Sequence, residues 1–393
     1  MPMRYQAGFI TDSNGGLRVP NAPVIGTASP GICCTTSARV RFTAPASTPC
    51  NPILSYTAIS TPGCFTGTGT VSPVRVSGLT AGSSYTFQVY ATNKYGISAP
   101  SATSNSVTTT RQGQQIYNAA GTYTWVAPAS VTSVSVVAVG AGGSGGGSSF
   151  YCQGECGYFY NAGCGGGGGA LTYGNNITVT PGASYTVRVG AGGSGTSSYF
   201  NSTSILNAGA ASGKTAGTST GSSKTGGGNG GAGGNGRKNS GIDPAGGGGG
   251  AGGYTASGTY SGGVGGSWNS AGSAGFTGSG AGGGGYADVS GRGGGGVDVF
   301  GAGTTGVYGT PNTVAGGGGG SGGGIGGNTS GFYYVCRIGG NGGGYGGGGG
   351  GGVVGYADFT DQPGGVGGPG VLRIVWPGSS RSFPSTNVSN CNA

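Results

Sequence analysis

The sequence predicts an all-β protein with essentially no α-helix, and three observations support this fold class. Residues 20–110 contain short segments in which apolar and polar residues alternate, the period of a strand with one buried face. Residues 121–377 carry similar segments at both ends of a long glycine-rich tract. Only 34% of the 393 residues are hydrophobic, so burial has to be local. We therefore expect two separate β modules.

The first module, residues 20–110, has strand-like segments at the spacing of an antiparallel sandwich. In SYTFQVYATN, the side chains of Tyr85, Phe87, Val89 and Ala91 share one face, and the residues between them take the other. This pattern predicts a half-buried strand. The other strand-like segments are APVIGTA, ARVRFTA, ILSYTAIS, PVRVSGL and SATSNSVTT.

Over about ninety residues this module resembles the fibronectin type III family, a two-sheet sandwich. Leu79 and Tyr85 in LTAGSSY match the family's corner, in which a tyrosine hydroxyl bonds back to the preceding chain. Tyr56 stands where the family has its central aromatic residue. The loop NKYG stands where some members carry an integrin-recognition tripeptide, which is absent here. The resemblance therefore implies the fold and not integrin binding.

The cysteines of the first module depart from this family, whose fold ordinarily has none. The family topology implies that the loops after the first and third strands lie at the same end, which would bring Cys33 or Cys34 near Cys64. A disulfide there requires a Cα separation of about 5.5 Å. Cys50 is expected at the opposite end. Four free thiols are the alternative.

The second module, residues 121–377, holds most of the chain's 105 glycines. They come in runs, at about one residue in three, without the strict period of collagen. A flexible linker is one interpretation, because glycine loses more backbone entropy on ordering than any other residue. Flanking strand-like segments, internal cysteines and aromatics, and a GYAD repeat at 285–288 and 355–358 favour an ordered insert in a β fold.

Polyglycine II-type helices would order such runs. Helices of the polyproline II kind have three residues per turn and no internal hydrogen bonds, so their N–H and C=O groups must pair with neighbours. Residues that face a neighbouring helix then have to be glycine. We predict a glycine-rich β domain with inserted polyglycine II-type helices.

The second module resembles the glycine-rich β domains of bacteriophage tail and adhesin proteins, through GTYTWVAPASVTSVSVVAVGAGG at its start and GPGVLRIVW at its end. A similar plan occurs in anaplastic lymphoma kinase-type receptors. In phage adhesins of this kind, loops at the ends of the helix bundle contact the host receptor, which implies the same for loops here. Aromatic rings suit such contacts, although they could equally cover the bundle ends as a substitute core. The candidates are Tyr254, Tyr260, Trp268, Tyr286, Tyr345 and Tyr356.

Four cysteines of the second module, Cys152, Cys156, Cys164 and Cys336, are expected to form two disulfides, because a domain with a small core often needs covalent support. A four-cysteine zinc site is the less favoured alternative, since the first two have C-x3-C spacing. Cys391 would remain free or link two subunits.

The composition argues against an enzyme. The chain has no histidine, only 6% charged residues and seven acidic residues, of which Asp358 and Asp361 alone lie close together. SGKT at 212–215 lacks the preceding glycine of a nucleotide-binding loop, and each GYAD turn offers calcium one carboxylate, from Asp288 or Asp358. We expect no catalytic residues, no cofactor and no metal.

Charge and hydropathy limit the partners. The net charge of +9 comes from sixteen scattered Lys and Arg residues, with Arg237 and Lys238 the one adjacent pair, so we expect no nucleic-acid binding. Weak attraction to anionic surfaces stays open. No apolar stretch approaches about 18 residues and the N-terminus lacks the apolar region of a signal peptide, so membrane insertion and signal-directed export are not expected.

These inferences together predict a virion structural protein on a bacteriophage surface, as a tail fibre, adhesin or capsid decoration, which reaches the outside on host lysis and attaches to a host receptor or surface glycans. Residues 1–19 would form an arm that docks to other virion proteins by strand addition, 111–120 a linker and 378–393 a tail. Homo-oligomers are compatible with this plan. A bacterial surface adhesin or filament protein is the alternative, and a polysaccharide hydrolase is opposed by the lack of paired carboxylates.

Overall fold

The computed structural model describes residues 18–31, 36–46, 52–109, 112–152, 158–236, 238–239, 245–255, 262–267, 273–274, 292–300, 306, 324, 338–351, 361–379 and 381–384. The chain divides into two units, of which the first ends at Gln112 and the second begins at Gly113. The described residues are all-β and contain no helix, which confirms the predicted fold class. None of them therefore forms a helix that could cross a membrane.

The described residues of the first unit form eight strands in two sheets. One sheet has the order β1-β2-β5 and the other β4-β3-β6-β7, with β8 also paired to β6. Every pairing is antiparallel. The strands are β1 (Val24–Pro30), β2 (Ser37–Thr43), β3 (Ser55–Thr61), β4 (Thr66–Gly69), β5 (Val74–Ser77), β6 (Ser84–Asn93), β7 (Gly96–Ile97) and β8 (Val107–Thr108).

The alternation in the sequence sets which residues of the first unit enter its core. Along β6 the side chains of Tyr85, Phe87, Val89 and Ala91 are buried, as predicted, and those between them are partly exposed. Tyr56 on β3 is buried with them. The period of two therefore places one apolar face of each sheet against the other.

The predicted tyrosine corner is present. The N–H of Thr80 donates to the hydroxyl of Tyr85 at 3.0 Å, and Leu79 beside it is buried. Gly82, in the turn between them, has φ +82°, a conformation that residues with a Cβ rarely adopt. The corner fixes the path of the chain as it enters β6.

Tyr85→Phe is expected to destabilise the first unit by about 1 kcal/mol, because the Thr80 N–H loses its acceptor. Hydrogen exchange of peptides from residues 52–109 would measure the change. The matched control is Tyr90→Phe on the same strand, whose partly exposed hydroxyl has no hydrogen bond to the described residues. Equal effects from the two variants would contradict a role for the corner.

In the second unit, the residues that the structure describes form twelve strands. Two sheets have the orders β14-β11-β20-β9 and β10-β15-β16-β17-β18, and a small third sheet has the order β12-β13-β19. The strands are β9 (Gly113–Tyr117), β10 (Gly121–Val126), β11 (Ser133–Val139), β12 (Ser149–Cys152), β13 (Tyr158–Asn161), β14 (Leu171–Thr178), β15 (Ser184–Val189), β16 (Ser198–Phe200), β17 (Leu206–Ala208), β18 (Ser219–Thr220), β19 (Lys238–Asn239) and β20 (Val371–Trp376).

The bounds of the second unit differ from the predicted ones. Residues 111–120 were expected to be a linker, but Gly113–Tyr117 form β9, which pairs with β20. The tail predicted from residue 378 is also partly packed, since Phe383 is buried. Both segments are ordered by contacts with residues far along the chain, which local sequence does not reveal.

The sheet that contains β11 and β20 is buried on both faces. One face packs with Trp125, Phe200 and other apolar residues of the second sheet. The opposite face packs with Tyr254 and with Val297 and its neighbours from the glycine-rich tract. Two covered faces explain why β11 and β20 are almost continuously apolar, in contrast to the alternating strands of the first unit.

The glycine-rich tract is inserted in a β framework, as predicted, because β11 precedes it in the chain, β20 follows it, and these two strands pair directly. Its described segments bond to one another through backbone groups at every third residue. Residues 163–170 donate in three directions, to residues 231–234, 346–349 and 209–213. They accept from residues 140–146 and 246–252 and from Gly217. This period is the one that packed polyglycine II-type helices require, and the helices themselves stay a prediction.

Side chains are excluded from the centre of this arrangement. A Cβ atom on Gly165 or Gly168 would meet the carbonyl oxygen of Gly247 or Gly250 well inside van der Waals distance. The obstacle is backbone in each case, which cannot turn away as a flexible side chain would. Close approach of backbones is therefore the physical reason for glycine at these positions.

Candidate functional site

The structure corrects the prediction that Tyr254 contacts a receptor. Its side chain is 0% exposed and packs against Tyr173 and Phe383, at ring-centroid distances of 5.9 and 6.2 Å. Its hydroxyl donates to the carbonyl of Asp298 at 3.1 Å. Tyr254 thus belongs to the core on one face of the β11 sheet, in agreement with the alternative that aromatics of the tract cover buried surface.

Of the other five residues predicted to contact a receptor, the structure describes only Tyr345. Tyr345 is partly buried against the same core, and its backbone N–H and C=O both bond to Val297. Receptor contact by the remaining aromatics stays a prediction, because they lie outside the described residues: Tyr260, Trp268, Tyr286 and Tyr356.

The two cysteines whose side chains are described are free thiols. Cys64 is exposed and Cys164 is partly buried, so the structure contradicts the predicted disulfides at these two positions. The side chains of Cys33, Cys34, Cys50, Cys152, Cys156 and Cys336 lie outside the description, and pairing among them stays a prediction. Within the described part of the chain, no group of three or more metal-binding side chains forms.

A buried cation lies at the centre of the β11 sheet. Arg373 on β20 is 0% exposed, on the face where its strand neighbours Val371 and Val375 join the apolar core. Its guanidinium donates to the side-chain oxygen of Gln114 and, at 3.1 Å, to the carbonyl of Val299. Burial lowers the pKa of Arg373 to about 10, so the group is still a cation at neutral pH.

Asp298 provides the charge that partly offsets this cation. Burial raises the pKa of its carboxyl, against the opposing effects of a 2.6 Å hydrogen bond from the Val299 N–H and of attraction to Arg373. The Phe300 ring lies 4.5 Å from the Arg373 guanidinium, a cation–π contact. Arg373 therefore joins β20 to Gln114 of β9 and to Val299 of the glycine-rich tract, so the cluster is suited to holding the tract on the sheet.

A groove of about 370 Å³ opens at one end of the two-sheet sandwich. β14 and β20 begin directly after glycine runs, and β11 leads into one. The groove lies at the opposite ends of the strands, between the end of β14 and the turn from β16 to β17. It is lined by Asn175, Asn176, Ile177, Thr178, Tyr185, Phe200, Asn201, Ile205 and Ser223.

The floor of the groove is apolar and aromatic. Phe200 is 1% exposed and stacks on the partly buried Tyr185, with ring centroids 5.6 Å apart and an angle of 14° between the planes. Ile177 is buried and Ile205 is partly buried beside them. This floor continues the core between the two sheets, so it is held in place by packing.

The rim of the groove carries polar side chains with unused hydrogen-bonding capacity. Asn176, Thr178, Asn201 and Ser223 form no side-chain hydrogen bond with the described residues. Asn175 differs, because its amide both donates to the carbonyl of Phe383 at 2.7 Å and accepts from the Phe383 N–H at 2.9 Å. The rim therefore holds two free amides and two free hydroxyls.

Two of these rim residues have an unusual backbone conformation. Asn176 has φ +53° and Asn201 has φ +64°, in the left-handed region that glycine ordinarily fills. The backbone N–H of Asn201 donates to the carbonyl of Thr186 at 2.7 Å, and that of Asn176 donates to the hydroxyl of Ser135 at 3.3 Å. Asn176 thus lies in β14, where the register against β11 shifts, and Asn201 directly follows β16.

Tyr185 belongs to a second tyrosine corner, which sequence analysis missed. The N–H of Thr180 donates to the Tyr185 hydroxyl at 2.7 Å, just as Thr80 bonds to Tyr85 in the first unit. The signal was present, since VTPGASYTV at 179–187 repeats LTAGSSYTF at 79–87, with glycine at the same place in each turn. The other groove residues carry no such motif.

Comparison with known proteins finds two family matches. The family described as glycine-rich domain matches residues 118–377, and the family described as fibronectin type III domain matches residues 34–107. No curated protein matches the chain.

Three solved structures show partial similarity. A structure of domains from titin is 28% identical, with 24% of this chain and 33% of that chain covered and a TM-score of 0.21. Titin kinase with its flanking domains is 17% identical, over 45% of this chain and 31% of that chain, at a TM-score of 0.21. The FN1–FN3 domains of chicken CNTN1 are 15% identical, with 51% of this chain and 69% of that chain covered, at a TM-score of 0.22.

Proposed function

We propose that this chain, which belongs to the glycine-rich domain family and also carries a fibronectin type III domain, is a non-enzymatic structural protein exposed on a bacteriophage particle. It attaches the particle to a host receptor or to surface glycans. Residues 1–19 dock it to other virion proteins. This role accounts for a chain of two β modules with few charged side chains and no histidine.

The observation that carries the proposal is the backbone hydrogen bonding of the glycine segments at every third residue. It supports a bundle of polyglycine II-type helices, which is rigid although its interior has almost no side chains. Residues 140–146 and 163–170 run antiparallel, so the chain must reverse at the bundle ends. Loops at such ends are free to change in sequence, because the bundle does not depend on their side chains.

Immunogold labelling of purified particles with antibody against the full chain tests the location. We expect label on the particle surface, and the purified chain should compete with particles for adsorption to host cells. Absence of the chain from purified particles would overturn the proposal, and label on the envelope of uninfected bacteria would favour a cellular adhesin instead. Release of reducing sugar from host envelope by the chain would contradict the non-enzymatic role.

A further inference from the structure

We propose that the groove at the end of the second unit's sandwich binds a neutral oligosaccharide, through the rim amides of Asn176 and Asn201 and the aromatic floor of Tyr185 and Phe200. The inference rests on the proposed attachment function and names a site for it. None of its lining residues is among the aromatic residues for which receptor contact was predicted.

The shape of the groove fits a small polar ligand. Its volume of about 370 Å³ lies within the ~300–1,000 Å³ range of ligand pockets. Such pockets combine apolar walls with a few placed polar groups. The floor here is formed by Phe200, Tyr185 and Ile177, and the polar groups lie at the rim, so the ring of a sugar could rest on the floor while its hydroxyls reach the rim.

The rim side chains can both donate and accept hydrogen bonds, which suits a ligand rich in hydroxyl groups. An asparagine amide both donates and accepts, and a serine or threonine hydroxyl does the same. Asn176, Asn201, Thr178 and Ser223 have no side-chain hydrogen bond to the described residues, so each is available to a ligand. A sugar presents adjacent hydroxyls that need both kinds of partner, which such a rim supplies.

The backbone at the two amides favours a role in binding. Left-handed backbone conformations such as those of Asn176 at φ +53° and Asn201 at φ +64° are ordinarily adopted by glycine, at no steric cost. Asparagine is tolerated there because its short side chain can bond locally. Neither Asn176 nor Asn201 makes such a local side-chain bond with the described residues.

The absence of charge from the lining points to an uncharged ligand. None of the nine lining residues is ionisable in the neutral range. The nearest cation in sequence, Lys224, donates its amine to the carbonyl of Ser219 at 3.0 Å. An anionic sugar or phosphate would find no counter-charge at the rim, so a neutral glycan is favoured.

The test uses the full chain and a panel of neutral tetrasaccharides of glucose, galactose, mannose and N-acetylglucosamine, with titration calorimetry as the readout. The variant Asn176→Gly with Asn201→Gly removes both amides and places at both positions a residue that adopts the left-handed backbone conformation readily. The matched control is Asn118→Gly, at an exposed residue that follows β9. Polygalacturonate serves as the anionic probe.

We expect at least one neutral probe to bind the unaltered chain and to lose about tenfold in affinity in the double variant, since two hydrogen bonds to neutral groups are removed. The Asn118→Gly control should keep the original affinity. Ser223→Tyr, which places a ring in the groove, should abolish binding without lowering the midpoint of thermal unfolding.

The inference is overturned by no binding of any neutral probe, by equal affinity in the double variant and the control, or by tighter binding of polygalacturonate. A peptide library that binds the groove where sugars do not would overturn it as well. These failures are distinguishable from failure of the proposed function, because the presence of the chain on particles is measured by labelling and does not depend on the groove.

Discussion

Gly168→Ala is expected to lower the free energy of unfolding of the second unit by about 3 kcal/mol or more. The added Cβ would meet the carbonyl oxygen of Gly250 well inside contact distance. The N–H groups of Gly250 and Gly168 each donate to a further segment, at 2.8 Å, so a shift of either backbone would break hydrogen bonds elsewhere. The steric cost therefore spreads through the glycine segments.

Gly182→Ala is the matched control for this substitution. A Cβ on Gly182 would meet nothing within 4 Å, but φ there is +80°. We expect a loss of about 1–2 kcal/mol, from the backbone conformation alone. The comparison separates the conformational need for glycine from the need for close approach of backbones.

Denaturant unfolding followed by tryptophan fluorescence would measure both variants. All three tryptophans of the chain follow residue 112, so the signal reports on the second unit. If Gly168→Ala costs no more than Gly182→Ala, the glycine segments are not packed as the structure has them, and the support for polyglycine II-type helices is lost.

Arg373→Ala is expected to destabilise the second unit by about 3–5 kcal/mol, the usual loss when one partner of a buried ionic cluster is removed. The change removes the guanidinium that donates to the carbonyl of Val299 and to the side-chain oxygen of Gln114. It also leaves the carboxyl of Asp298 without its nearby opposite charge. Unpaired buried polar groups are costly because no water replaces the lost partner.

Two further variants show what the arginine does. Arg373→Lys keeps the charge but loses the planar fork that bonds to two acceptors, so we expect an intermediate loss of about 2 kcal/mol. Arg188→Ala, at a partly exposed residue of β15, should change stability by less than about 0.5–1 kcal/mol. The same fluorescence-detected unfolding applies. A loss at Arg373 no larger than at Arg188 would show that the cluster does not hold the tract on the sheet.

Local pattern predicted much of the fold because strand faces are decided by nearest neighbours. The period of two placed Tyr85, Phe87 and Val89 correctly, and the flanking segments of the glycine tract became β10, β11, β14, β15 and β20. Local pattern did not predict β9, because its residues GQQIY are weakly apolar and form a strand through pairing with β20. Such pairing depends on a partner more than 250 positions away in the chain.

The candidate groove was not predictable in the same way. Its lining comes from β14, β15, the end of β16, the turn between β16 and β17, and the segment after β18, which meet only when the two sheets stack. Only Tyr185 carried a readable signal, through the repeated corner motif. Which asparagine of the rim keeps its amide free of hydrogen bonds depends on packing, since Asn175, next to Asn176, is bonded to Phe383 through both its amide N–H and its amide oxygen.

The sequence by itself determined the all-β class and the tyrosine corner at Tyr85, because each depends on local backbone geometry and side-chain period. Tertiary structure alone decided that Tyr254 is core rather than contact surface, that Arg373 is buried in an apolar face, and that Asn176 and Asn201 border one groove. Burial and free hydrogen-bonding capacity depend on which distant segments cover a residue, and local sequence does not encode that.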